Sequence, residues 1–175
     1  MPGIKCVSAC CAALLLILSF AGCAGGGLVS PYQPPATRVT LLDGEYLSLS
    51  AWQGRVVVLG FWASWCTTSR SRLGKFGDLA EKYLDRPEVS FLAVSLDKLE
   101  DRAVVEEIFK NHGWQKLTNA FSGNDFSDEA CLAFGVERVP SFYVLNKEGQ
   151  VVARGNRTGF IEDVLDGLLE QKVQG

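Results

Sequence analysis

The stretch FWASWCTTSRSRL, Phe61 to Leu73, contains a change of period. Up to Trp65 it extends the run RVVVLG, nearly continuous in β-branched and apolar residues, as in a strand buried on both faces. From Thr67 the apolar positions are Leu73, Phe76, Leu79, Ala80 and Tyr83, which share a helical spacing. Arg, Lys, Asp and Glu lie between them, and Pro87 closes the segment. Cys66 therefore ends a strand and begins a helix. Unpaired backbone N–H groups and the positive end of the helix dipole face such a sulfur, and both favour thiolate, the nucleophilic form. The bland alternative is a buried, inert core cysteine. The junction and the flanking Trp and Thr argue instead for a side chain that reaches the surface. Three residues on, where disulfide chemistry would want a second cysteine, stands Ser69.

Working outward, RVTLLDGEYLSL reads as two short extended segments around an Asp43-Gly44 turn. VSFLAVSL, Val89 to Leu96, is a second buried strand. Residues 55–96 thus form a strand–helix–strand unit with parallel strands and the helix on one face. LEDRAVVEEIFKNHG is an amphipathic helix ending at Gly113. VPSFYVLN, KEG and QVVARGN make a β-hairpin, and Ile161, Val164, Leu165, Leu168 and Leu169 stripe a final helix. This order predicts an α/β fold: a central mixed β-sheet flanked by helices on both faces, with an N-terminal β extension.

With 175 residues and a formal charge of −3, the chain suits one domain with a sizeable core. No basic stripe or arginine-rich segment points to nucleic acid, and no internal repeat is visible. Three of the six cysteines, Cys6, Cys10 and Cys11, fall in the first 22 residues. That segment has one Lys, then an apolar run from Val7 to Phe20, then small residues. At about 14 residues the run is short for a membrane span and suits a signal peptide. SFAGC sets Ala21 and Gly22 before Cys23 and resembles the bacterial lipobox, with Phe20 where Leu is commoner.

The expected organisation is a lipoprotein signal peptide over residues 1–22, then a lipidated Cys23 with a flexible tether over 23–36, then a domain over 37–175. Ordinary cleavage near Ala21 to Ala24 is the alternative, disfavoured because cysteine is rare at such a site. An uncleaved anchor would leave the domain on the same side of the membrane. The predicted location is the bacterial cell envelope, lipid-anchored and facing the periplasm or extracytoplasmic space. Cys66 and Cys131 then remain as thiols in an oxidising compartment.

VVVLGFWASWCTTS, VERVPSFYVLNKEGQVVARGNRTG and the element order resemble a thioredoxin-fold protein. LLDGEYLSLSAWQGRVVVLGFWASWC is similar to the TlpA-like branch of membrane-anchored periplasmic thiol–disulfide oxidoreductases, and the likeness runs from about Thr37 to the C-terminus. The resemblance implies a cis Val139-Pro140 bond in a loop facing Cys66, with the Val139 backbone pairing an extended substrate. It also implies that Trp65 belongs to the contact surface, whereas Trp62 leans toward packing. Family members carry W-C-x-x-C-x-x-E-x-P. Here Ser69 replaces the second cysteine, Arg72 the Glu and Gly74 the Pro, while Gly60 stands where the family tends to place a buried Asp or Asn that moves protons for the second thiol.

A dithiol enzyme forms a mixed disulfide and expels the product with its second thiol; Ser69 cannot perform that step. It can donate a hydrogen bond to the Cys66 thiolate, which leaves two functions open. The first is monothiol exchange, with Cys66 as nucleophile, Ser69 supporting it, and Trp65, Val139 and Pro140 binding substrate. Its partners are protein or small-molecule thiols and disulfides, an external thiol reductant, and a membrane through the lipid anchor. The second is a redox-inactive binding module that retains the peptide groove. Neither calls for a cofactor or a metal. A copper site would want a second Cys or a nearby His, and the single His112 reads as a polar residue at a helix end. A peroxiredoxin motif fails at Leu59 and Ala63. Cys131 is either a displaced resolving cysteine or a small core residue; the second is preferred, since free Cys is among the most buried residue types.

Overall fold

The computed structural model describes residues 25–170; the predicted signal peptide and Cys23 lie outside them. A six-stranded mixed sheet forms the centre, with strand order β1-β8-β7-β4-β5-β6. Its strands are β1 (Gly26–Tyr32), β4 (Val56–Trp62), β5 (Val89–Ser95), β6 (Leu117–Phe121), β7 (Ser141–Leu145) and β8 (Val151–Gly155). The expected N-terminal β extension is the two-stranded hairpin of β2 (Arg38–Thr40) and β3 (Tyr46–Ser48). The helices are α1 (Thr67–Lys82), α2 (Arg102–His112), α3 (Glu129–Phe134) and α4 (Gly159–Glu170). Among the described residues no helix is long and apolar enough to cross a membrane.

The run read as a doubly buried strand is β4, all seven of whose residues are buried. Alternation splits them between two cores. Val56, Val58 and Trp62 join Leu73 and Phe76 of α1, Val105 and Phe109 of α2, and Ile161 and Leu165 of α4. Val57, Leu59 and Phe61 face the other way, against Ala130, Cys131 and Phe134 of α3 and Val39 of the hairpin. Helices therefore cover both faces. β4 pairs β5 in parallel, as the crossover requires, and β7 in antiparallel fashion. α2 ends as expected, with Gly113 left-handed at φ 65° and its N–H bonded to the Phe109 carbonyl.

The tether is corrected by the structure. Gly26 to Tyr32 form an edge strand against β8, with Gly26 opposite Gly155. A side chain at position 155 would place its Cβ 2.3 Å from the Gly26 Cα, so the two glycines allow a backbone approach that other residues would block. The composition AGGGLV suggests a linker because a strand held by close backbone contact needs few side chains of its own.

Candidate functional site

Strand pairing brings two loops together. Phe61 of β4 lies opposite Ser141 of β7, so the turn leaving β4 meets the loop entering β7. Cys66 closes the first loop and caps α1; its N–H bonds the Ala63 carbonyl at 3.3 Å, and its sulfur accepts the Ser69 N–H at 3.4 Å. The second loop carries the cis Val139-Pro140 bond, and the Val139 carbonyl lies 3.9 Å from Cys66 Sγ. Cys66, Ser69, Val139 and Pro140 are thus one constellation. Trp65 stands beside it, 56% exposed, with its ring 6.5 Å from that of Phe126. Trp62 is buried, edge-on to Phe109 at 5.7 Å.

The electrostatics of the two cysteines diverge. Burial is the largest influence on the Cys66 thiol and pushes it up. The Ser69 hydroxyl, the Ser69 and Thr68 N–H groups and Arg72 together outweigh burial and hold the thiol below an ordinary cysteine. The Ser69 hydroxyl is buried with no partner that meets hydrogen-bond geometry, so its proton is free to turn toward the sulfur. Cys131 is buried in the second core, its Sγ donating to the Val136 carbonyl at 3.4 Å. Burial first, then Asp128 and Asp125, push it up to about 11. Both cysteines are free. Cys131 has the surroundings of a core residue, and Cys66 those of a nucleophile.

A buried carboxylate holds the Cys66 loop, and the sequence reading missed it. Asp97 follows β5 and is fully buried. Its oxygens accept the Ser64 N–H at 3.0 Å, the Ser64 hydroxyl at 2.7 Å and the Ser95 hydroxyl at 2.6 Å. Trp62 lies opposite Ser95 in the parallel pair, so the end of β5 is registered against the start of the Cys66 loop. The available signal was an Asp just after a strand buried along its whole length, where an unpaired charge would be costly.

The departures at Gly60, Arg72 and Gly74 have different structural outcomes. A Cβ at Gly60 would lie 2.9 Å from both Phe142 Cε1 and Phe76 Cε1, so two core rings occupy the space of a family acid. Arg72 reaches across from α1 to donate to the Asn156 carbonyl. At Gly74 a Cβ would meet nothing within 4 Å. His112 ends α2 and stacks on Trp114 at 4.0 Å.

A family model for thioredoxin-like proteins matches residues 54–151, more than half of the chain. The chain belongs to the thioredoxin-like family. Among curated relatives it is 26% identical over 141 residues to the thiol-disulfide oxidoreductase ResA of Bacillus thuringiensis, covering 79% of this chain and 76% of that one. It is 28% identical over 136 residues to the tryparedoxin of Trypanosoma brucei brucei, covering 77% and 91%. Among solved structures, a thiol-disulfide oxidoreductase from Bacteroides fragilis superposes with a TM-score of 0.69 at 24% identity, over 78% of this chain and 99% of that one. That likeness shows the thioredoxin fold: the mixed sheet and helices described above.

Proposed function

We propose that this thioredoxin-like chain is a thiol–disulfide exchange protein of the TlpA-like type, acting through Cys66 alone. The carrying observation is the sulfur at the start of α1, lowered by Ser69 and facing the Val139 carbonyl of the cis loop. The thiolate attacks one sulfur of a substrate disulfide. A Cys66–substrate disulfide forms, the substrate's S–S bond breaks, and the other half leaves as a thiolate. An external thiol then attacks the mixed disulfide, takes over the substrate sulfur and returns Cys66 as thiolate, so the electrons come from that thiol. Ser69 stabilises the thiolate in both steps, and the edge at Val139 aligns an extended peptide. The oxidoreductases among the relatives support this class of reaction.

Placement in the cell envelope, facing the periplasm, rests on the signal-like segment and the Ala21-Gly22-Cys23 sequence. With a lipid on Cys23, two residues, Ala24 and Gly25, separate it from Gly26 of β1, a reach of at most about 11 Å. The domain would then work close to the membrane surface.

The test is a mass measurement. Wild-type protein incubated with an aliphatic disulfide should gain an adduct on the Cys66 peptide that dithiothreitol removes, and Cys66→Ser should gain none there. A wild-type Cys66 that stays unmodified refutes exchange. The second reading, a binding module that keeps the groove, is favoured by one observation: the aromatic filling at Gly60, which leaves no room for a buried acid.

A further inference from the structure

A cavity of about 420 Å³ opens beside the cis loop, lined by Arg138, Ser141 and Phe142 together with Arg154, Gly155 and Asn156. Arg138 directly precedes Val139, whose carbonyl faces the Cys66 sulfur. Arg154 lies opposite Tyr143 in the β7–β8 pair. A third cation, Arg72, lies outside the lining and donates from α1 to the carbonyl of Asn156. Among the described residues the ion pairs are Lys82–Glu162, Arg86–Glu88 and Arg102–Glu106, so none of these three guanidinium groups is held by a carboxylate. One carboxylate, Glu137, lines the cavity, which leaves the rim cationic on a chain of net charge −3. Net positive charge in a concave site raises the local concentration of oppositely charged substrate.

We propose that this cavity selects disulfides bearing a carboxylate next to the sulfur, with Arg138 and Arg154 receiving the carboxylate while Cys66 attacks. The proposal rests on the exchange reading above and names its substrate class. Arginine suits the task, because its planar fork meets a carboxylate through two parallel N–H···O bonds. The chemistry is balanced as before: one S–S bond breaks, one forms to Cys66, and the carboxylate-bearing half leaves as thiolate or stays attached.

Three small aliphatic disulfides test it on the full chain: 3,3′-dithiodipropionate (anionic), 2-hydroxyethyl disulfide (neutral) and cystamine (cationic). Adduct formation is followed on the Cys66 peptide, so other cysteines do not contribute. Each rate is compared between protein variants rather than between probes, which cancels differences among leaving thiols. A unit charge several Å away in water-like surroundings changes a rate by about threefold. The ratio of anionic to neutral rate should therefore fall about tenfold in Arg138→Ala/Arg154→Ala, and the ratio of cationic to neutral rate should rise. Lys at both positions should restore most of the preference, and about 0.5 M salt should erase it in wild type. Arg72 is left intact because it acts on the Cys66 thiol itself. Equal changes with all three probes, or none with any, overturn the proposal while exchange at Cys66 stands. A wild-type Cys66 unreactive toward all three overturns both.

Discussion

Replacing Asp97 probes whether a buried carboxylate sets the reactivity of a cysteine it does not touch. In Asp97→Ala the Ser64 N–H, the Ser64 hydroxyl and the Ser95 hydroxyl all lose a charged acceptor. Hydrogen bonds to charged groups contribute roughly 1.5–3 kcal/mol each. Ser64 is only half-buried, so water recovers part of that loss, and removing a buried charge also removes its desolvation cost. The expected net destabilisation is about 3 kcal/mol, which lowers a urea midpoint by roughly 1–2 M for a domain of this size. Tryptophan fluorescence reports the unfolding. Asp97→Asn should lie between the two, since its amide can meet only some of these donors. The informative measurement is the pH profile of Cys66 alkylation by iodoacetamide. If Asp97 holds the loop so that the Ser69 N–H and hydroxyl reach the sulfur, its loss should move the profile up, toward an ordinary cysteine. Removing a nearby negative charge, acting through the field alone, would move it down. Tyr143→Phe, which loses the bond to the Phe134 carbonyl elsewhere in the core, should destabilise without moving the profile. A profile that falls or stays put in Asp97→Ala would refute the positioning role, whatever the stability.

Ser69→Cys rebuilds a C-x-x-C pair at the start of α1, and the variant should form an internal disulfide and reduce a protein disulfide with dithiothreitol. An internal disulfide without any reduction would favour the binding-module reading. Cys131 is raised from 9.0 to about 11 in the native state, so its contribution to stability is intact below pH 9. As pH climbs from 9 to 11 the unfolded chain gives up this proton while the native chain keeps it, costing about 2–3 kcal/mol. Urea midpoints at pH 8 and 10.5 should show that alkaline loss in wild type and a smaller one in Cys131→Ala; identical losses would contradict the burial argument.

The parts of the fold legible in sequence are those whose side chains report their surroundings. β4 and β5 bury every residue and read as apolar runs, and α1 declares its face through Leu73, Phe76, Leu79 and Ala80. β6 passed unseen, because a five-residue edge strand with Thr118 and Asn119 inside it has no clear period. β1 reads as a tether in sequence, since its pairing depends on the closeness of Gly26 and Gly155 rather than on any apolar pattern. In the site, Cys66 and Val139-Pro140 were found from local motifs. Asp97 was not, because its partners Ser64 and Ser95 become neighbours only once β4 and β5 pair. The cationic rim is hidden for the same reason: Arg138 of the cis loop and Arg154 of β8 become neighbours only once β7 and β8 pair.

The two departures that bear most on chemistry are of different physical kinds. Ser69 keeps the hydrogen bonds that favour thiolate while removing the second sulfur, and one atom separates it from cysteine. Gly60 is built into the core. Phe76 and Phe142 approach each other at 5.2 Å across the space where a side chain would stand. An acid introduced there would have to displace two buried rings, and packed interiors resist that kind of insertion by about 1–3 kcal/mol. Proton transfer to and from a second thiol is therefore closed by packing, whereas thiolate formation at Cys66 is supported by the helix start. Under the exchange reading proposed above, such a site forms a mixed disulfide and depends on an outside thiol to resolve it. The lifetime of that adduct, set by the external thiol, would then decide whether the protein turns over or holds its partner.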